Sequence, residues 1–185
     1  MTTYFASRGK ANTEETVRLA LARAKEAGIK HIVVASNTGF TARHFVGKDV
    51  NVVCVTHHIG FRGPGLDEMG PETRRELKEA GVQVLTTTHL FANVERAITQ
   101  KQGGLYPGGI IADTLRMFSQ GIKVALEIAV MALDAGLIPY GEPVISVGGS
   151  GAGADSAVML VPSHAKTFFE TQVLEIICKP RNTRA

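Results

Sequence analysis

No block of lysine or arginine occurs anywhere in the 185-residue chain, and no aromatic stripe is interleaved with basic residues. Nucleic-acid binding therefore has no footing in the sequence. Cysteine is nearly absent. Cys54 and Cys178 each sit inside an apolar, strand-like run, with no CxxC partner and no metal-ligand spacing. Buried free thiols in a reducing cytosol are expected, not a disulfide or a zinc site. Residues 1–10 lack the apolar core of a signal peptide. The most apolar stretch, residues 122–138, is broken by Lys123, Glu127 and Asp134, which makes it a poor membrane span. A Walker A motif is missing too, since Gly47-Lys48 runs into Asp49 with no upstream glycine. The expectation is a soluble cytoplasmic protein with neither membrane nor nucleic acid as partner, and with no metal.

What is present fits an ordinary globular chain, 44% hydrophobic and 20% charged, taken as one domain over residues 1–185. Residues 12–26 read as a helix. Asn12 with Glu15 makes a capping-box-like start, Val17, Ala20, Leu21 and Ala24 share a face, and Gly28 stops it. Strands are predicted over residues 29–35, 50–56, 82–86, 143–147, 158–161 and 173–178. Helices are predicted near 41–46, then over 72–80 between Pro71 and Gly81, and over 91–100. Residues 102–109 read as a Gly-rich interruption, followed by helices over 110–118 and 120–135, with Ser119 as a cap and Gly136 as a stop. The 120–135 helix is apolar around most of its circumference. That makes it central to a core or half of a subunit interface, and favours a homo-oligomer. Strands alternating with helices imply a mostly parallel sheet covered on both faces.

Ligands gather outside the carboxyl ends of such strands. Polar or Gly-rich segments follow the strands at Ser36, His57, Thr87 and Gly148, so four loops carrying chemistry-capable residues are expected along one edge. The first is the most specific. Ser36, Asn37, Thr38, Gly39, Phe40, Thr41 and Ala42 follow a β-branched run, and they combine hydroxyls, a glycine and a possible helix start, which suits a phosphate. An ordinary turn with a Ser or Thr cap is the competing reading. The connection over residues 57–70 is long and dense in Gly and Pro, as binding segments often are. Gly149-x-Gly151-x-x-Ala154 imitates a dinucleotide fingerprint but leads into a strand-like run, so a loop closing over a ligand or a plain turn fits better. Asp113, Glu127 and Asp155 are the nearest candidates for acid/base work, although Asp155 reads equally as a surface turn residue. No Ser-His-Asp or Cys-His set can be assembled from spacing.

The run Ser36-Asn37-Thr38-Gly39-Phe40-Thr41-Ala42-Arg43 after Ile32-Val33-Val34 resembles the phosphate-gripping loop of the pyruvate kinase C-terminal α/β domain. The likeness continues through Asn51-Val52-Val53-Cys54-Val55-Thr56 and Gly141-Glu142-Pro143-Val144-Ile145-Ser146-Val147-Gly148, and it is closest to stand-alone proteins of this class. The resemblance implies a three-layer α/β/α domain with a mixed, mainly parallel sheet. It also implies flavin mononucleotide (FMN), which is associated with stand-alone members. The kinase barrel has no counterpart here, so pyruvate kinase activity is not expected. In the regulated kinases the late loop supplies cations for a second phosphate, whereas Gly148 to Asp155 holds no Lys or Arg. The expected ligand therefore has one phosphate and a polar or aromatic body, most simply FMN. Ser36, Asn37, Thr38, Gly39, Thr41 and Ala42 would hold the phosphate. Thr87 and Thr88 would line the next strand end, and Gly148, Gly149, Ser150 and Gly151 would admit the ring or ribityl chain. His57, Phe61 and Tyr106 would contact the ring. The alternative is a regulatory sensor of a phosphorylated metabolite without chemistry, and a phosphoester hydrolase ranks lower.

Overall fold

The computed structural model describes residues 1–182. Its strands are β1 (Thr3–Phe5), β2 (His31–Ala35), β3 (Asn51–Val55), β4 (Gln83–Leu85), β5 (Val144–Gly148), β6 (Ser156–Val161) and β7 (Gln172–Pro180). The helices are α1 (Thr13–Ala27), α2 (Phe40–Arg43), α3 (Pro71–Glu79), α4 (Val94–Gln102), α5 (Pro107–Arg116) and α6 (Gln120–Asp134). The strands form one seven-stranded sheet in the order β1-β7-β6-β5-β2-β3-β4. Among the described residues only β6 runs against the others, pairing antiparallel with both β5 and β7. The sheet is mixed and mainly parallel.

The central strands β2, β3 and β5 are β-branched on both faces because both faces are covered. On one side Val17, Ala20 and Ala24 of α1, Phe45 beyond α2 and Leu77 of α3 pack on Ile32, Val34, Val52 and Cys54. On the other, Ile122, Ala125, Leu126 and Ala129 of α6 pack on Val33, Val53, Val144 and Val158. The result is three layers, α/β/α. From Gly121 to Leu133 helix α6 is buried except at Val124. Its apolar circumference is thus used inside a single chain, which removes the sequence-level reason for a second subunit.

Several boundaries moved for identifiable reasons. Asn12 makes no capping hydrogen bond to α1, because its side-chain amide donates back to the carbonyls of Ser7 and Gly9. Thr13 takes over the junction, donating to Lys10 O at 2.7 Å. Pro107, Gly108 and Gly109 are the first turn of α5, not an interruption, since Pro at a first helical position loses no hydrogen bond. β1 escaped the sequence reading because a three-residue edge strand carries too little periodicity. Other stops held: Gly28 ends α1 at φ 68° and Ser119 Oγ caps α6 by accepting from Ile122 N at 2.9 Å.

Because β2, β3, β4 and β5 are mutually parallel, their carboxyl ends and following loops lie along one edge. The fold thereby gathers the segments that begin at Ser36, Thr56, Thr86 and Gly149.

Candidate functional site

A cleft of about 710 Å³ opens at that edge. The loop after β2 supplies Ser36, Asn37, Thr38 and Thr41 to its lining. Ser36 is buried, and its Oγ accepts from the backbone N–H of Thr41 at 3.1 Å and of Ala42 at 3.3 Å. The hydroxyl expected to hold a phosphate is therefore an internal cap, and it occupies two of the amides assigned to the ligand. Ala42 is fully buried and lies off the cleft. The amides of Thr38, Gly39 and Phe40 have no acceptor among the described residues, but Gly39 is buried and lies off the lining, so Thr38 and Phe40 are the ones at the cleft. Gly39 adopts φ 81°, and a Cβ there would stand 2.5 Å from Thr73 Cγ2 on α3. Its glycine is demanded by turn geometry and helix packing before any ligand is considered.

Residues 57–70, after β3, fold back and are pinned at both ends. His57 N donates to Asn37 Oδ1 at 2.9 Å, and His57 Nδ1 lies 2.6 Å from Glu68 Oε2. Nε2 is 3.1 Å from Asn37 Nδ2, so the neutral ring that satisfies both partners donates from Nδ1 to the carboxylate and accepts at Nε2. Both ring nitrogens are engaged, which makes His57 a strut between two loops. Phe61 stacks on it with ring centroids 3.8 Å apart. Asp67 pairs with Arg74 of α3 at 2.8 Å, and Arg74 reaches Thr86 Oγ1 at 3.1 Å.

After β4, Thr87 and Thr88 are exposed and do not line the cleft. Thr86 bonds Thr56 at 2.7 Å instead, and the residues that reach the lining are Thr56, His89 and Phe91. Burial pushes the His89 imidazole down to about 4, the charges of His57, His58 and Lys123 push the same way, and Glu127 opposes them. After β5, Gly148 lies off the lining: it is a buried strand residue where a Cβ would run into the Gly121 carbonyl of α6. Gly149 and Gly151 do line the cleft, together with Ala152 and Gly153, whereas Ser150 does not. Asp155 is fully buried, not a surface turn residue. It accepts from Gly9 N at 2.8 Å, Ser150 N at 3.2 Å and Ser156 Oγ at 2.9 Å, bracing the late loop against the N-terminal segment. Tyr106 lines the cleft and donates to Phe91 O at 3.2 Å.

Of the far wall the sequence reading named Glu127 alone, as an acid/base candidate, and missed its cationic partner. Lys123 and Glu127 of α6 form an ion pair with side chains 8% and 5% exposed. Glu127 Oε1 also accepts from Phe91 N at 2.9 Å. Burial holds the Lys123 ammonium below its ordinary range, Glu127 opposes this, and the nearby Arg116 and Arg96 add to the depression. Five cationic residues (Lys10, Arg62, Arg96, Arg116, Lys123) and two carboxylates (Glu68, Glu127) line the cleft. Two charges four residues apart in an otherwise apolar helix were a usable signal for pairing Lys123 with Glu127. Arg96 and Arg116 carried none.

By contrast the thiols of Cys54 and Cys178 are buried and pushed up to about 12, which leaves them inert. Among the described residues no helix is long and apolar enough to cross a membrane.

Solved structures similar to this chain include a pyruvate kinase from Cryptosporidium parvum, 20% identical, with 81% of this chain and 23% of that chain covered at a TM-score of 0.42. The Cryptosporidium parvum pyruvate kinase in complex with ADP is 21% identical, with 80% and 22% covered at 0.41. A third structure of a pyruvate kinase from that organism is 19% identical, with 77% and 22% covered at 0.39. The chain spans less than a quarter of the length of these proteins. The family described as "Pyruvate kinase, alpha/beta domain" matches residues 14–161, a stretch that runs from α1 through β6 and includes the hydroxyl loop and the far wall. The chain belongs to the pyruvate kinase alpha/beta domain family.

Proposed function

We propose that the cleft binds a small phosphate-bearing molecule and that the protein serves as a ligand-binding or sensing module. The observation that carries this reading is the coincidence of two features. The unpaired amides of Thr38 and Phe40, beside the Thr38 and Thr41 side chains, stand in a cleft whose described lining carries five cationic residues against two carboxylates. Backbone N–H groups and cationic side chains are the groups that bind phosphate oxygens. A cleft of about 710 Å³ is within the size of small-molecule sites, about 300–1,000 Å³. Thermal unfolding against a panel of sugar phosphates tests it. A ligand at about 100 times its Kd stabilises the fold by about 2.7 kcal/mol. No shift with any phosphorylated compound, at millimolar concentration and physiological salt, overturns the reading.

FMN is the second reading, favoured by the aromatic groups Phe61, His89, Phe91 and Tyr106 in the lining. A flavin would bring its own redox chemistry, with the protein supplying orientation. Visible absorbance of the purified protein and titration with FMN test it directly. The charge on the far wall ranks a polar phosphorylated metabolite first.

A further inference from the structure

Lys123 sits where the apolar helix α6 meets the cleft. Val124 and Ile128 flank it in the lining, and the Phe91 ring lies 5.4 Å from its Nζ. Its side chain is 8% exposed, an unusual degree of burial for a lysine, whose amine is ordinarily left in water. Among the described residues its one carboxylate partner is Glu127. That carboxylate is fixed from behind, because Oε1 accepts from Phe91 N at 2.9 Å and Oε2 is thereby kept for Nζ. Burial and the neighbouring Arg116 and Arg96 all disfavour the charged ammonium, and Glu127 supports it.

A desolvated lysine beside other cations is the kind that gives up its proton and attacks carbonyl carbon. We propose that Lys123 forms a reversible Schiff base with the carbonyl group of a phosphorylated aldehyde or ketone bound in the cleft, with Glu127 carrying the proton. This rests on the phosphate reading above and narrows its ligand to a sugar phosphate with a free carbonyl, the phosphate at the loop after β2 and the carbonyl at α6. The ammonium first passes a proton to Glu127. The neutral amine then attacks the carbonyl carbon, an N–C bond forms, and the carbonyl π pair moves to oxygen. A proton follows from nitrogen to that oxygen. Glu127 returns its proton to the resulting hydroxyl, the C–O bond breaks, and water leaves. The iminium carries the single positive charge that the ammonium carried at the start, and Glu127 is again a carboxylate. No oxidant or reductant is consumed.

Reductive trapping of the folded wild-type protein tests the step. Cyanoborohydride at neutral pH converts an iminium into a stable secondary amine, and peptide mass spectrometry then locates the adduct. The probes are glyceraldehyde 3-phosphate, erythrose 4-phosphate, ribose 5-phosphate and dihydroxyacetone phosphate, each run beside its unphosphorylated counterpart. Lys25, Lys78 and Lys101, which are exposed and lie off the cleft, report the background reaction of ordinary surface lysines. With at least one phosphorylated probe Lys123 is expected to be modified more heavily than all three. A lysine that serves only to neutralise Glu127 is buried and charged, and would be modified less than any of them. If Lys123 exceeds them with no probe, the Schiff base is overturned. The phosphate reading then stands where the same compounds raise the melting temperature, and falls with it where they do not. Equal modification of Lys123 by the sugars and by their phosphates keeps the Schiff base and removes the phosphate.

Discussion

Asn37 grips His57 from two directions, its Oδ1 accepting the backbone N–H at 2.9 Å and its Nδ2 lying 3.1 Å from the ring Nε2. With Glu68 on Nδ1, the loop after β2 and the long loop after β3 are joined by a three-residue strut that lines the cleft. The loop after β2 therefore does not stand alone.

Asn37→Ala removes both bonds and leaves the partly buried His57 N–H and Nε2 without partners. A loss of about 1–3 kcal/mol is expected in urea denaturation, since stranded buried polar groups cost more than the bond itself was worth. Nitrogen NMR of the histidine ring supplies an independent check. Wild type should show Nδ1 protonated and Nε2 bare, and the opposite tautomer would show that the strut is not formed as described.

Thr38 and Gly39 separate ligand effects from packing effects. Gly39→Val places a β-branched residue at φ 81° and drives its Cβ against Thr73, so destabilisation of roughly 2–4 kcal/mol is expected with or without ligand. Thr38 is exposed and its side chain bonds nothing within the described residues. Thr38→Ala should leave stability within about 0.5 kcal/mol. Affinity for a bound phosphate compound should weaken by about 1 kcal/mol, roughly fivefold, as for one lost hydrogen bond. Unchanged affinity in Thr38→Ala would take the hydroxyl out of the site.

The Lys123–Glu127 pair makes a different prediction, because breaking a buried pair costs more than replacing it. Glu127→Leu strands both the Lys123 ammonium and the Phe91 N–H, and a loss of about 3–5 kcal/mol is expected. The double variant Lys123→Met/Glu127→Gln removes the charges, keeps an acceptor for Phe91 and should recover most of that loss. Denaturant midpoints of the three proteins check this. A double variant no more stable than Glu127→Leu alone would show that the ion pair itself contributes net stability.

The elements that were legible in the sequence are those whose side chains obey one rule at a time. β2 and β3 are β-branched runs ending in polar turns, Gly28 and Gly136 adopt left-handed conformations just past helices, and Ser119 caps α6. The parallel order follows from strand–helix alternation, and with it the edge where the loops meet. The site was legible only on that edge. Ser36 looked like a phosphate ligand because spacing does not say which way a hydroxyl turns, and here it turns inward to cap its own loop. Arg96 and Arg116 were invisible because helices α4 and α5 approach the cleft through tertiary packing, with no local pattern to mark it. The late loop, Gly148 to Asp155, holds no Lys or Arg. The cations come instead from the helices on the opposite wall.

His89 ties the site's electrostatics to pH. Its folded-state pKa of about 4 lies below the ordinary histidine value of 6.5, chiefly because burial disfavours the imidazolium. Between these values the unfolded chain binds a proton that the folded protein refuses, so stability rises with pH across that window. The contribution is fully present above about pH 6.5 and is lost as the pH falls towards 4, with about 1.4 kcal/mol per pH unit as the ceiling. Since carboxylates also titrate near the lower end, the measurement is a difference. His89→Phe keeps an aromatic ring against His57, His58 and Phe61 while removing the titration. Urea midpoints taken at half-unit steps from pH 7 to pH 4 should fall more steeply for wild type than for the variant, with the divergence beginning near pH 6.5. Parallel curves would place His89 at an ordinary pKa and show that the ring is hydrated as the cleft opens.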